Sequence, residues 1–129
     1  MIKGWMQEAD FSSVDMEFAD AAEAIAFWKN VDAGPMDALT ARLIEDKEEW
    51  CQWGLGIGFD TDFAIHIFRD DPIQDTYAMR VEKKVPKKLL GLFSTTATRS
   101  NHVDGLKRET VANYMQRYFD KDEELLILK

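Results

Sequence analysis

The chain has 129 residues, of which 46% are hydrophobic and 12% aromatic, with a formal net charge of −8. That is enough apolar sequence for one domain, 1–129, with its own core and no need of a metal or disulfide, and too much for a disordered chain. The acidity disfavours nonspecific binding to nucleic acid and favours encounter with a basic partner.

Cys51 is the one cysteine, so an intrachain disulfide is excluded and a reducing compartment fits. The opening MIKGWMQEADF has no continuous apolar stretch and does not read as a signal peptide. No run approaches the ~20 apolar residues that cross a bilayer. The expectation is a soluble cytoplasmic domain without membrane contact.

In chain order, residues 19–31 (ADAAEAIAFWKNV) read as a helix with Ala21, Ile25 and Trp28 on one face. Asp15, Glu17 and Asp20 lie before or in its first turn, and Gly34-Pro35 ends it. From Ala38 the period changes to two, since Leu39, Ala41 and Leu43 alternate with Thr40 and Arg42. That pattern predicts a strand, followed by a turn at EDKEE, 45–49. Strands are also predicted at 50–59 (WCQWGLGIGF), 63–68 (FAIHIF) and 76–82 (TYAMRVE). Short connections make the four an antiparallel meander.

Residues 85–101 read either as a further strand or as a short helix and loop. A second helix is predicted over about 103–119, with Ser100 or Asn101 as N-cap and Val103, Leu106, Val111, Tyr114, Met115 and Tyr118 as its stripe. The closing ELLILK is predicted as a last strand. The fold class is α+β: helix, four-strand meander, helix and final strand, with the helices on one sheet face.

Gly54, Gly56 and Gly58 spell GxGxG, not the GxGxxG of a dinucleotide loop, and no helix follows them. A three-residue loop at Asp60–Asp62 sets Phe59 opposite Phe63, Ile57 opposite Ile65 and Leu55 opposite Ile67 on one face, and Gly58 opposite Ala64, Gly56 opposite His66 and Gly54 opposite Phe68 on the other. Cys51, Trp53, Leu55, Ile57 and Phe59 then share an apolar face. The glycines form a shallow strip that a large aromatic ring can approach.

His66 and His102 stand alone without a recognisable catalytic arrangement, and Cys51 reads as a small core residue. Two histidines and one cysteine at scattered spacing do not make a zinc site, and DTDF and DDPIQD do not match a calcium loop. The lysines Lys83, Lys84, Lys87 and Lys88 around Pro86 read as solubility or an internal charge match in a chain this acidic, with anion binding as the alternative. No metal, cofactor or catalytic residue is predicted, and the expectation is a non-enzymatic protein.

The meander gives the acids a geometry. The first connection, with Glu45, Asp46, Glu48 and Glu49, falls at the same end of the sheet as the third, with Asp70, Asp71 and Asp75. Trp50 and Trp53 lie at or just inside that end, and aromatic residues amid charge are an interface composition. These nine residues are the predicted partner-binding set. The plainer alternative is a group of dispersed, solvated acidic turns.

The stretches AEAIAFWKNV and ETVANYMQRYFDKDEELLILK, and the layout between them, resemble one family of immunity proteins of bacterial polymorphic and contact-dependent toxin systems. Where that family carries a tryptophan in its last strand, this chain has LLIL. The resemblance implies a small α+β protein without enzymatic activity. Its partner would be a basic cognate toxin domain, a nuclease or deaminase, blocked by electrostatic occlusion. An acidic chaperone of the type III secretion kind, dimeric and bound to an effector, is a second reading. A small-ligand domain or enzyme with a pocket around His66 and Tyr77 is a third. The sequence leaves the oligomeric state open.

Overall fold

A computed structural model of the chain describes residues 1–89 and 93–129, with side chains described outside 86–96. It is α+β, built on a six-stranded antiparallel sheet. The strands are β1 (Ile2–Gln7), β2 (Ser13–Phe18), β3 (Gly54–Ile57), β4 (Phe63–Asp71), β5 (Thr76–Leu89) and β6 (Phe93–Leu106), in the order β2-β1-β3-β4-β5-β6. The helices are α1 (Ala21–Asn30), α2 (Ala33–Glu45) and α3 (Arg108–Phe119), followed by a 3-10 helix at Glu123–Ile127.

The sequence pattern placed α1 and the β3–β4–β5 meander correctly. The register matches over four pairs, Ile57 opposite Ile65, Leu55 opposite Ile67, Gly56 opposite His66 and Gly54 opposite Phe68, but Gly58–Ala64 and Phe59–Phe63 do not pair, because β3 ends at Ile57 and Gly58 turns the chain at φ 81°. Four further readings are corrected. Residues 38–43 are helical: Asp32 caps α2 by accepting from the Gly34 N–H, and Pro35 sits in the first turn, where its missing N–H costs nothing. Met36 and Leu43, seven apart, are the buried pair, and the alternation of Leu39, Ala41 and Leu43 came only from alanines interleaved in a helix-favouring run.

Two strands precede α1, so the chain does not open with a helix. Met6, together with Phe18 opposite Ile2, reaches the core, while Lys3, Trp5, Asp15 and Glu17 take the other face. Of the three acids assigned to the start of α1, only Asp20 belongs to it, as N-cap to the Glu23 N–H. Val103 and Leu106 belong to β6, and α3 starts at Arg108 with Lys107 as N-cap, while Asn101 instead donates to the Leu125 and Leu128 carbonyls. Finally, ELLIL is not a strand. Leu125 and Leu126 are adjacent and both buried, which a pleated strand cannot do and a 3-10 turn can. The segment 85–101 is strand on both sides of residues 90–92, which lie outside the described residues.

The helices cover one face. Leu55, Ile57, Ile65, Ile67, Met79 and Val81 pack beneath them with Trp28, Val111, Met115 and Leu125. α1 and α3 are locked by Arg108, whose guanidinium donates to the Trp28 and Val31 carbonyls and the Tyr77 hydroxyl, while the Trp28 indole N–H donates to the Arg108 carbonyl. These bonds satisfy carbonyls that the end of α1 would leave open.

The other face carries one row of side chains across the sheet: Asp15, Trp5, Gly56, His66, Arg80 and His102 stand opposite one another in turn. Trp5 lies over Gly56, where a Cβ would come within 2.6 Å of the indole, so the glycine strip is filled by an aromatic ring. At Gly54 the obstacle is backbone, since a Cβ would meet the Ile67 carbonyl oxygen at 2.1 Å. Gly54→Ala is therefore expected to destabilise the fold by about 3 kcal/mol, read from urea unfolding at an unchanged m-value.

Candidate functional site

Three connections meet at one end of the sheet. The loop after α2, 46–53, is bound on one side to the β1–β2 turn by the Cys51 N–H to the Ala9 carbonyl (2.9 Å). On the other side the Arg69 N–H donates to the Trp53 carbonyl (2.8 Å), which places the β4–β5 turn beside it. The Gly105 N–H reaches Asp70 Oδ2 (3.1 Å), which adds the end of β6. Glu45, Asp46, Glu48 and Glu49 thus lie at the same end as Asp70, Asp71 and Asp75, joined by Glu8, Asp10 and Asp104.

The structure divides the predicted partner-binding set by what each side chain already does. Glu45, Asp46, Glu48 and Glu49 are exposed and form no salt bridge among the described residues. Trp50 is 43% exposed. Asp71 caps the turn by accepting from the Ile73 and Gln74 N–H groups, and Asp70 accepts from Thr76 and Gly105.

Asp75 is bound to Arg69 (2.8 Å), whose hydrogen bond holds the Asp75 carboxyl below its ordinary range. Trp53 is a correction. It is 1% exposed, donates its indole N–H to Asp37 (2.8 Å) and lies against the Arg69 guanidinium, so it supports the end of the sheet from inside.

Arg69 is the support that sequence reading missed. It is buried, bonded to Asp37 and Asp75, and stacked on the Trp53 and Tyr77 rings. Burial alone would lower its affinity for a proton, and the bonds to the two carboxylates more than offset that. In the fold its charge is already matched.

Large apolar side chains stand among the free acids. Phe11 is 55% exposed, Ile44 50% and Ile73 94%, on the β1–β2 turn, the last turn of α2 and the β4–β5 turn. With Trp50 they give this end four apolar contacts surrounded by carboxylates. Phe11 is also held at φ 70°, a left-handed conformation that costs a bulky residue about 1–2 kcal/mol. Phe11→Asn is expected to raise stability by about 1 kcal/mol, since asparagine tolerates that conformation, as read from a thermal melt.

No protein-family model matches the chain, and neither a curated protein nor a solved structure matches it.

The remaining sequence candidates lie on the uncovered face or its border. Cys51 is half-buried rather than in the core, with its thiol donating to the Glu8 carbonyl (3.2 Å). Gly58, at φ 81°, breaks the alternation after Ile57, so Phe59 turns away from the core and stands 5.7 Å from the Trp5 ring. His66 and Tyr77 occupy opposite faces, Tyr77 in the core against Trp28 and Trp53, so no pocket encloses both. Among the described residues no group of three or more histidine, cysteine or carboxylate side chains is placed to hold a metal.

His66 lies in the aromatic row between Trp5 and Phe68, and its Nε2 has no hydrogen-bond partner among the described residues. Burial, with a smaller contribution from Arg80 and against Glu82, lowers its pKa below 6.5. The ring is then easier to protonate in the unfolded chain. Stability is full above pH 6.5, the unfolded value, and falls as the pH drops from there through the lowered folded value. His66→Phe is expected to flatten that fall, measured by urea unfolding across the same pH window.

Proposed function

We propose that the protein is a non-enzymatic acidic binder that neutralises a basic cognate partner, a toxin domain of nuclease or deaminase type, by covering its anion-binding groove. The observation that carries this reading is the end of the sheet where Phe11, Ile44, Trp50 and Ile73 stand exposed among carboxylates, of which Glu45, Asp46, Glu48 and Glu49 form no salt bridge among the described residues. Unpaired like charges at one end steer a partner of opposite sign and raise its rate of encounter. Exposed aromatic and branched side chains among them supply the desolvated contacts that hold it. A groove shaped to bind phosphates is basic, and a carboxylate-rich knob with an apolar centre is complementary to it.

The six-stranded sheet with helices on one face supports the same reading by making the docking end rigid. Arg69, Trp53 and Asp37 brace the loop from within, so little order is lost on binding. The resemblance seen in α1 and α3 is compatible with it. The chain nevertheless departs from that family in closing on a 3-10 helix where the family has a last strand.

The test is capture of protein from the source lysate at low and high salt, followed by an activity assay on what is captured. The reading requires a single basic domain, held at low salt, released by added salt, and losing its nuclease or deaminase activity when this protein is restored. Trp50→Ala should weaken the complex by about tenfold or more, measured by calorimetry. A captured domain that stays fully active would refute the proposed inhibition.

A further inference from the structure

The sheet ends on β2, which pairs with β1 on one side and with no other strand among the described residues. Its two faces differ in chemistry. On the uncovered face Asp15 and Glu17 project beside Trp5, Phe59 and Asp60 around a cleft of about 700 Å³, where Lys3 is the one cation among the described residues. On the helix face the cleft between β2 and α1 has a volume of about 440 Å³, with Met16, Phe18, Ala26, Phe27 and Val31 as its apolar wall and Glu17, Glu23 and Asn30 at its border.

We infer that β2 accepts an extended strand of a partner protein in which lysine or arginine alternates with apolar residues. An added strand sends successive side chains to opposite faces. One set would enter the cleft lined by Asp15, Glu17 and Asp60, whose wall also includes Trp5 and Phe59. The other would enter the apolar cleft against α1. Main-chain hydrogen bonds along the free edge supply the affinity, and the two clefts supply the sequence preference.

The charge on β2 argues against a second copy of this chain as the occupant. Antiparallel pairing of two β2 strands would bring Asp15 and Glu17 of one copy onto the same carboxylates of the other. The opposite border, β6, is partly covered, because Asn101 donates to the Leu125 and Leu128 carbonyls of the closing segment. This inference concerns a surface other than the acidic end and does not rest on the inhibitor reading.

The probe is a short labelled peptide alternating lysine or arginine with valine, followed by fluorescence anisotropy on the whole protein. Two comparators have the same composition, one in block order and one N-methylated at alternate amides. Both are expected to bind at least about tenfold more weakly, as is the alternating peptide to an Asp15→Lys, Glu17→Lys variant whose fold is checked by circular dichroism. Amide exchange should slow at residues 13–18, and a Glu48→Lys, Glu49→Lys variant should bind the peptide within about threefold of the parent. Equal binding of the block or N-methylated peptide would overturn the inference. So would protection at 44–52 instead, or a concentration-dependent dimer of the protein alone that protects β2.

Discussion

Glu45→Lys, Glu48→Lys and Glu49→Lys together are expected to abolish capture of the basic partner, with the dissociation constant rising at least about a hundredfold. The thermal midpoint should stay within about 2 °C of the parent, because exposed side chains without structural partners contribute little to stability. The choice of residues matters. Asp70, Asp71 and Asp75 occupy the same end, but each already accepts from a turn N–H, a hydroxyl or Arg69. Reversing those would loosen the β4–β5 turn and confuse a lost contact with a damaged fold. Salt should reproduce the effect in graded form on the parent protein, since exposed charges are screened within about 10 Å at 0.1 M.

A loss of stability as large as that at Gly54→Ala is expected at Asp37→Ala. Asp37 accepts from the Trp53 indole at 2.8 Å and from two Arg69 nitrogens at 3.2 and 2.7 Å. Its loss leaves a buried guanidinium with Asp75 as its remaining carboxylate and a buried indole N–H with no acceptor. Removing one partner of a buried pair costs about 3–5 kcal/mol, and the remaining Asp75 contact argues for about 3. That corresponds to a fall of about 10 °C in melting temperature. Because Trp53 and Arg69 brace the loop that presents Trp50, partner affinity should also weaken in the folded fraction. A lysine scan of the exposed acids would show no such coupling between stability and affinity.

What the sequence made legible was alternation where it was long or bracketed by turns. The β3–β4 register followed from the alternation of one apolar face with a glycine strip, and it held for the four pairs from Gly54–Phe68 to Ile57–Ile65 but not for Gly58–Ala64 or Phe59–Phe63, beyond the end of β3. The same signal was present in SVDMEF, where Val14, Met16 and Phe18 alternate with Ser13, Asp15 and Glu17. Reading those acids as a helix approach hid β2.

At 38–43 the reverse happened: interleaved alanines imitated a strand, while Asp32, Pro35 and a helix-favouring composition carried the competing signal. Trp53 and Trp50 look alike in sequence, three residues apart. What separates them is Asp37, brought from α2 to the Trp53 indole, a contact no local pattern contains. The exposed Phe11, Ile44 and Ile73 were equally illegible, because exposure depends on which helices cover which face.

The central claim is that the partner docks on the acidic, apolar end of the sheet. The most direct measurement is amide hydrogen exchange on the complex and the free protein, peptide by peptide. The account predicts slowed exchange in the loop after α2, residues 44–52, and in the turns at 8–12 and 71–75, with the centre of α3 unchanged. Protection confined to the uncovered face or to α3, with 44–52 exchanging as in the free protein, would contradict it.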